Sequence, residues 1–359
     1  IDNGAHLALS GNHVLTRYLT LCGAVDRMRV LRPAALSFVN VGGEGGERPR
    51  DAWTLSPGVQ MLLSDASRPP GVSAVALIRD LWRLLRAKPA HTAADVLGRS
   101  PAYSLLWRPL VVSALNAPPE KAAASLLAAV ARETLLRGEP HCRPMLPVTT
   151  LADALVAPAL KKLESLNAGV RLSARVGGFR FDGDRLAGFN GAALGPRDMV
   201  VLAVPPWAAA ELLPAFIPPP AGPAIVNVHF RARLPLPPLL GVTGGRTDWL
   251  FQRDEILTAT ISVADDLVDR PSGDIAALIW REACAAANAP PAPLPPHRVV
   301  KERRATVSAA PADQPLRPDA ATRWRNLFLA GDWTATGLPS TMEGAIRSGF
   351  KAAQRALSA

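Results

Sequence analysis

Residues 326–349, NLFLAGDWTATGLPSTMEGAIRSG, decide the fold of this chain. They begin with a short apolar run that predicts a buried strand. Gly331 and Asp332 follow at the end of this strand. Ser340-Thr341-Met342-Glu343 then has the pattern of a capping box, so a helix is predicted to start there. A strand, a polar loop and a capped helix in this order indicate an α/β fold.

The loop between this strand and this helix has the residues of a ligand site. Ligands of α/β folds bind where the carboxyl ends of the strands meet. Gly331 lets a ligand approach the backbone closely, and the Asp332 carboxylate can accept hydrogen bonds from sugar or ribityl hydroxyls. The first helical turn carries partial positive charge, which suits a pyrophosphate or the electron-rich edge of a reduced flavin. The loop is therefore predicted to bind a flavin, and an ordinary capped strand–turn–helix is the alternative.

Length and composition indicate a large globular protein with two domains, or with one domain inserted into another. The chain has 359 residues, of which 48% are hydrophobic. Its formal net charge of +10 favours anionic partners, but no signature of a nucleic-acid-binding module is present, so no nucleic acid is expected as a partner. The three cysteines are far apart and are expected to be free thiols of a cytoplasmic protein. The spacing of His and Cys predicts no metal site.

One predicted helix bears on the location of the protein. Residues 77–86 form an amphipathic pattern in which Arg79, Arg83 and Arg86 share one face. Such a helix can lie peripherally in a membrane interface, here at the inner face of the membrane. The alternative is a surface helix whose basic face is solvated. No apolar run is long enough to predict a helix that spans the bilayer.

Hydrophobic periodicity divides the chain into a helical block, a mixed block and a block of strands. Helices are predicted over residues 13–22, 75–87, 92–97, 101–115, 121–137, 151–166 and 273–287. Strands are predicted over residues 170–176, 179–181, 186–189, 199–204, 224–230, 249–252, 258–263 and 299–305. The continuous apolar run 199–204 predicts a strand that is buried on both faces. This order indicates an α/β domain that is interrupted by an inserted α+β domain.

The C-terminal string resembles the FAD motif of the amine oxidase and carotenoid desaturase superfamily. Nearly end to end, the chain resembles the hydroxysqualene dehydroxylase family within it. Further marks of this resemblance are DNGAH at residues 2–6, WRPL at 107–110, ALNAPPE at 114–120, VVLAVPPW at 200–207 and ERRAT at 302–306. The resemblance implies a Rossmann-like, three-layer FAD-binding domain of residues 1–30, 146–206 and 298–359. Residues 31–145 and 207–297 would form the inserted α+β substrate domain.

The sequence departs from this family in two places. The family begins with a strand that carries GxGxxG and an acidic ribose ligand, and neither is found here. Residues 43–46 are not a substitute, because Arg48 stands where the last glycine would be. A first βαβ unit is therefore expected upstream of Ile1, and without it the chain is expected to bind FAD weakly. The family also usually has Gln where Ala5 stands.

The resemblance implies a role for each residue of the C-terminal loop. Asp332 would bind the ribityl–pyrophosphate region of FAD. Thr341 and Met342 would lie at the pyrimidine edge of the flavin. Gly331 and Gly344 would let the backbone and the helix approach the cofactor closely.

The resemblance also implies roles for residues elsewhere in the chain. Val176 would contact the adenine side of FAD, and Ala203 and Val204 would line the dinucleotide near the pyrophosphate. Trp107 and Arg108 would form part of the wall of the substrate cavity, and a packed helix with one buried aromatic side chain is the alternative for this segment.

The implied reaction is the reductive removal of an allylic hydroxyl from hydroxysqualene, a lipophilic isoprenoid, to give squalene. Pro339 would face the substrate cavity, and His6 is the candidate proton donor, although a structural role is the alternative for this histidine. The closest alternative is an oxidative enzyme of the same fold, a carotenoid desaturase or an amine oxidase. A non-catalytic fragment or binding protein is the alternative of another class.

Overall fold

The computed structural model describes residues 2–43 and 51–359. The chain divides into two compact units, which we call unit 1 and unit 2. Unit 1 contains Ile1–Gly11, Arg29–Leu146 and Ala221–Pro311, and unit 2 contains Asn12–Met28, Pro147–Pro220 and Ala312–Ala359. These units are defined by contacts alone, so the assignment of residues 1–30, 146–206 and 298–359 to FAD, and of the rest to the substrate, stays a prediction. The glycine-rich residues 44–46 and Arg48 lie outside the described residues.

The strands come in runs that are separated by helices along the chain. The strands are β1 (Ala8–Leu9), β2 (Met28–Val30), β3 (Leu36–Asn40), β4 (Asp51–Leu55), β5 (Pro144–Pro147), β6 (Arg180–Asp182), β7 (Arg185–Phe189), β8 (Ala192–Ala193), β9 (Val200–Leu202), β10 (Ile225–Arg231), β11 (Leu239–Thr243), β12 (Trp249–Arg253), β13 (Ile256–Ile261), β14 (His297–Glu302) and β15 (Leu327–Leu329).

The α-helices are α1 (His13–Leu21), α2 (Val59–Leu63), α3 (Ala74–Leu85), α4 (Ala93–Leu97), α5 (Arg108–Leu115), α6 (Ala124–Glu133), α7 (Ala157–Ser165), α8 (Pro206–Leu212), α9 (Ser272–Ala286) and α10 (Met342–Leu357). A π-helical turn precedes α5 at Tyr103–Trp107, and another precedes α7 at Ala152–Val156. None of the helices among residues 2–43 and 51–359 combines the length and the apolar character needed to cross a membrane.

Unit 1 is organised around a seven-stranded sheet in the order β14-β10-β13-β12-β11-β3-β4. Its pairs are antiparallel except for β11 with β3, which is parallel. Side chains alternate between the two faces of a strand, so Val226, Val228 and Phe230 of β10 point to one face. These three are fully buried in a core that α9 completes. Burying each such side chain contributes about 1.5–3 kcal/mol.

A second core of unit 1 joins the edge of this sheet to the helical layer. Phe38 of β3 stacks on Trp53 of β4, with their ring centroids 5.5 Å apart. Both rings belong to a cluster with α3, α4, α5 and α6, in which Leu84 and Leu127 are almost fully buried. The helical block predicted from the sequence is thus the layer that covers this part of the sheet.

Unit 2 is built on a much smaller sheet. Its β9 and β15 form a parallel pair in which Leu329 lies beside Leu202, and α10 packs against both strands. A separate meander of β6, β7 and β8 is joined to the C-terminal segment by the stacked rings of Phe181 and Trp324, whose centroids lie 4.2 Å apart. The α/β class and the predicted C-terminal strand and helix are confirmed.

The predicted strand at residues 170–176 is wrong. This segment has no strand partner among the described residues, and Val170, Leu172 and Val176 are 48%, 82% and 42% exposed. A positive φ of 56° at Ser173 interrupts the extended run, and Asn190 binds the backbone on either side of Val176 instead. An alternating apolar pattern gives a strand only where a neighbouring strand accepts its hydrogen bonds.

The predicted burial of residues 199–204 on both faces is also wrong. Within the described chain β9 pairs with β15 alone, and Val201 is 42% exposed. A continuous apolar run predicts coverage on both faces, but the partners that would cover it cannot be derived from the run itself. The strands β3, β4 and β11 were not predicted as defined elements.

Candidate functional site

The carboxyl ends of β9 and β15 meet at one edge of unit 2. The two strands are parallel and in register, and the Ala330 N–H donates to the Leu202 carbonyl at 3.0 Å. Gly331 and Asp332 therefore emerge beside Ala203 and Val204. Four residues predicted from the sequence to bind the cofactor are thus brought together at the edge where α/β folds bind ligands.

Gly331 adopts a conformation that only glycine fits. Its φ is +144°, and a Cβ atom there would lie 2.2 Å from Nε1 of Trp333. The Gly331 N–H donates to Ser348 of α10 at 2.7 Å, and the Trp333 indole donates to the Val204 carbonyl at 3.0 Å. The loop after β15 is therefore fixed both to the helix behind it and to the end of the neighbouring strand.

Asp332 is a partly buried acid and not the exposed loop acid that its position in the sequence suggests. Burial raises its pKa, while the Ser340 hydroxyl and the Arg317 guanidinium act in the opposite direction. A carboxylate that has lost part of its hydration binds donor groups of a ligand more strongly than a solvated one does. This environment suits the hydrogen bonds from ribityl hydroxyls that the sequence predicted.

Arg317 is a buried cation that the sequence analysis missed. Its guanidinium donates to the Leu338 carbonyl at 2.6 Å and also to the Asp332 carbonyl, so it spans the loop from one end to the other. Its Nε is shielded from solvent and has no hydrogen-bond partner in the part of the chain that the structure describes. Burial lowers its pKa, and the Asp332 carboxylate partly compensates. An isolated arginine in a proline-containing segment gives no signal in the sequence that it supports this loop.

The start of α10 differs from the predicted capping box. The N-cap is Thr341, whose hydroxyl accepts from the Gly344 N–H at 3.1 Å. Glu343 does not reach back to the start of its own helix. Its buried carboxylate accepts from the Val14 and Leu15 N–H groups of α1, at 3.0 and 2.8 Å. The capping box was therefore wrong in its detail, because the acid caps a different helix.

The other residues predicted to bind at this loop lie in the turn that leads into α10. Met342 is the first residue of α10, directly after Thr341. Pro339 is buried, and its carbonyl accepts from the Thr341 hydroxyl at 3.2 Å. A Cβ at Gly344 would lie 3.1 Å from that carbonyl oxygen, which is a tight contact. The cofactor contacts of these residues, and the substrate contact of Pro339, stay predictions.

Val176 is placed in a different setting from the other predicted cofactor residues. It lies in the exposed, unpaired segment before β6, between Arg175 and Gly177. The Asn190 side chain donates to the Arg175 carbonyl at 2.7 Å and accepts from the Gly177 N–H at 2.8 Å. The backbone at Val176 is thus held in a fixed position, and its contact with adenine stays a prediction.

Unit 1 contains a polar cavity of about 230 Å³. Arg108 is one of its lining residues, together with Asp248 and Trp249. Burial raises the pKa of Asp248 to about 6, although its carboxylate accepts from the Ser262 N–H at 2.5 Å. The place of Arg108 in the wall of this pocket does not test its predicted contact with the substrate, which stays a prediction.

Trp107 does not line this cavity. It is 2% exposed, belongs to the helical core, and its indole donates to Asp80 at 2.9 Å. Its assignment to the cavity wall stays a prediction that the packing does not support. The side chain of His6, the candidate proton donor, is partly accessible to solvent. Loss of hydration next to protein atoms lowers the pKa of His6, and the Asp2 carboxylate raises it. Its catalytic role also stays a prediction.

Comparison with known proteins identifies the family of this chain. The family of flavin containing amine oxidoreductases matches residues 1–357. The chain belongs to this family. The loop of Gly331, Asp332 and Trp333 fits its cofactor, because a desolvated acceptor and a glycine with no room for a side chain lie at the carboxyl edge of parallel strands. This flavin-containing oxidoreductase is FAD-dependent.

Relatives within the family are similar along the whole chain. A hydroxysqualene dehydroxylase of Rhodopseudomonas palustris is 42% identical over 372 residues, which cover 100% of this chain and 87% of the relative. A hydroxysqualene dehydroxylase of Sinorhizobium fredii is 40% identical with the same coverage. A 15-cis-phytoene desaturase of Synechococcus elongatus is 34% identical over 109 residues, which are only 30% of this oxidoreductase.

Solved structures show the same fold at low sequence identity. A cyclohexylamine oxidase from Brevibacterium oxydans has a TM-score of 0.66 at 16% identity, and the match covers 100% of this chain and 88% of that structure. A putative protoporphyrinogen oxidase from an Exiguobacterium species has a TM-score of 0.65 at 12% identity, covering 98% and 87%. These similarities confirm the predicted fold class.

Proposed function

We propose that this oxidoreductase removes the allylic hydroxyl of hydroxysqualene reductively and releases squalene. The observation that carries the proposal is the similarity to hydroxysqualene dehydroxylases at 40–42% identity over the full chain. The partial similarity to phytoene desaturase covers less than a third of the chain, so it favours the oxidative alternative far less.

The chemistry of this reaction needs a reductant, a proton donor and a dry apolar surface. A bound reduced flavin supplies hydride. The residues that would hold the cofactor are Gly331 and Asp332, in the loop that Trp333 and Arg317 fix in place. The loss of water from an allylic alcohol leaves a cation on carbon, which is protected when the surrounding side chains exclude solvent.

The experiment that tests this function compares two substrates under two redox conditions. The purified, FAD-loaded protein is reduced with dithionite without oxygen and then mixed with hydroxysqualene, and squalene is measured by mass spectrometry. We expect squalene in proportion to the reduced flavin, and none from protein without FAD. Oxidation of phytoene by the oxidised enzyme, without squalene from hydroxysqualene, would replace this function with the carotenoid desaturase alternative.

We further propose that the protein takes its lipophilic substrate at an anionic membrane surface. On α3, Val75, Ile78 and Trp82 are 73%, 53% and 54% exposed, at a spacing that places them on one face of the helix. The neighbouring helix α2 adds Val59 and Leu63, which are 67% and 76% exposed. An apolar stripe of this kind is typical of a helix that lies in an interface.

Basic side chains border this stripe. Arg79, Arg83 and Arg86 are exposed on α3, and the Arg86 guanidinium lies 4.5 Å from the centre of the Trp82 ring. The arginines and the apolar residues therefore share the solvent-exposed surface of the helix. Cations beside an apolar stripe favour anionic lipid headgroups, each contributing about 1 kcal/mol near such a surface.

A further inference from the structure

The face of the large sheet that is opposite α9 has an unusual row of polar side chains. Val228 and Phe230 of β10 point to α9, so Asn227 and His229 point to the other face. His229 lies beside Thr258 of β13, and Asn227 lies beside Thr260 of the same strand. We call these four residues the polar quartet. Asn227, His229 and Thr258 are only 3%, 5% and 6% exposed.

The polar quartet is paired internally by two hydrogen bonds. Nδ1 of His229 lies 2.9 Å from Oγ1 of Thr258, and the Thr260 hydroxyl donates to the Asn227 amide oxygen at 2.8 Å. Nε2 of His229 is different, because among the described residues it has no hydrogen-bond partner, and it is shielded from solvent. A buried ring nitrogen without a partner is unfavourable, so this atom is available for a hydrogen bond to a ligand.

Aromatic side chains lie beside the polar quartet on the same face of the sheet. On the next strand, Trp249 lies beside Thr260 and Phe251 beside Thr258. Antiparallel neighbours that are directly opposite share a face, so the aromatic rings and the quartet form one surface. This surface is apolar on one side and offers hydrogen bonds on the other.

The N-terminal segment lies on the same face. A Cβ at Gly4 would be 2.7 Å from Nδ2 of Asn227, so the backbone of Gly4 packs directly on the quartet. Ala5 and Leu7 pack in a cluster with Phe251. This is the DNGAH segment, which contains His6, the candidate proton donor from the sequence. The quartet and the DNGAH segment therefore lie against each other within unit 1.

We propose that His229 is the catalytic acid of the dehydroxylation, with its Nε2 bonded to the substrate hydroxyl and Thr258 as the residue that positions the ring. This inference rests on the proposed function. In the imidazolium form both ring nitrogens are donors, so Nδ1–H donates to Thr258 and Nε2–H is left for the substrate. The proton passes to the hydroxyl oxygen, the C–O bond breaks with its electron pair on oxygen, and water leaves. The hydride of the overall reaction then neutralises the cation on carbon.

The charges around His229 set the pH range of this step. Burial lowers the pKa of His229, Arg298 and Arg253 lower it further, and Asp2 raises it. The imidazolium is therefore the form present at low pH, and it is lost as the pH rises through this lowered pKa. We expect kcat to fall over the same range, because a catalytic acid must be protonated.

The first experiment compares three single variants of the FAD-loaded enzyme. His229→Gln should lower kcat about 10²–10⁴-fold with little change in KM, and should remove the loss of activity with rising pH. His297→Gln, in the exposed neighbouring strand β14, is the matched control and should keep the wild-type profile. His6→Gln shows which of the two histidines is the acid, since only substitution of the catalytic acid removes the pH dependence of kcat.

The second experiment does not depend on turnover or on a variant that must fold. The wild-type enzyme with oxidised flavin is labelled with ¹⁵N-histidine, and the ring nitrogens are followed by NMR while hydroxysqualene or squalene is added. We expect hydroxysqualene, but not squalene, to shift the Nε2 resonance of His229. Thr258→Val should change the tautomer that the same spectrum reports.

The outcomes separate this inference from the proposed function. If the wild-type enzyme forms squalene and His229→Gln keeps more than half of its kcat, His229 is not the acid. The same conclusion follows if hydroxysqualene leaves the Nε2 resonance unchanged. If the wild-type enzyme forms no squalene from hydroxysqualene, the proposed function itself fails.

Discussion

Unit 1 and unit 2 are held in place by different kinds of contact. Unit 1 has a seven-stranded sheet whose apolar face is covered by α9, and side chains such as Phe230 and Leu257 are completely buried. Unit 2 has a parallel pair of three-residue strands and leaves Val201 and Leu172 exposed to solvent. The order of its ligand loop comes instead from polar contacts of Arg317 and Trp333. Unit 1 is therefore stabilised by its apolar core, whereas the loop after β15 in unit 2 is fixed by polar contacts.

The largest effect is expected from a substitution in the core of unit 1. Phe230→Ala removes a fully buried ring from the packing against α9 and Trp280, and it should lower the free energy of unfolding by about 3–5 kcal/mol. Denaturant unfolding followed by circular dichroism measures this change. Ile217→Ala in unit 2, where the side chain is 82% exposed, is the control and should change the same quantity by less than about 0.5 kcal/mol. Equal effects of the two variants would contradict the comparison.

The next prediction asks which exposed apolar surface binds lipid. Replacing Arg79, Arg83 and Arg86 together by Gln should weaken binding to anionic liposomes by about 3 kcal/mol, which is roughly a hundredfold. Co-sedimentation at low salt measures the binding. The matched control replaces Arg171, Arg175 and Arg180, which are exposed beside the apolar segment of unit 2, by Gln. An equal loss in both triple variants would show that net charge, and not the surface on α3, determines binding.

A third prediction concerns the ligand loop of unit 2. Asp332→Asn keeps the shape of the side chain but removes the charge, so FAD should bind about 10–150-fold more weakly, the equivalent of a charge-assisted hydrogen bond. Flavin fluorescence quenching measures the affinity, and thermal melting without FAD shows whether the fold is kept. Asp184→Asn, at a 61% exposed acid of the same unit, should leave the affinity unchanged. Wild-type affinity in Asp332→Asn would remove this carboxylate from the cofactor site.

The smallest expected effect is the dependence of this affinity on pH. Burial raises the pKa of Asp332 in the free protein, so part of the population is protonated at a higher pH than for a solvated acid. Ligand hydroxyls bind the ionised form, so FAD affinity should fall as the pH falls through this raised pKa, by at most tenfold per pH unit. The titration is repeated with Asp332→Asn, in which this slope should be absent. A slope that persists in the variant would assign the titration to another group.

The same contrast shows which features the sequence predicts. Residues 326–349 predicted a strand, a glycine turn and a helix, and all are found, because each depends on interactions within a few residues. The helix at residues 273–287 was equally predictable from its period. Residues 170–176 failed because a strand requires a partner, and the partner is not encoded in the segment itself.

The candidate site shows the same limit at the level of side chains. Gly331 and Asp332 were predicted because their positions follow from the end of one strand. Arg317 was missed, since only the folded loop brings its guanidinium to the Leu338 carbonyl. His229 was also missed, because an alternating strand shows which residues share a face but not that Nε2 would be left without a partner.

The contact between Glu343 and α1 has a consequence for how the chain is made. The two N–H groups that this carboxylate accepts belong to Val14 and Leu15, and Leu15 precedes it by 328 residues. At a synthesis rate of about 5–20 residues per second, α1 leaves the ribosome roughly 16–66 s before its cap exists. The first turn of α1 therefore cannot gain this cap until Glu343 has been synthesised.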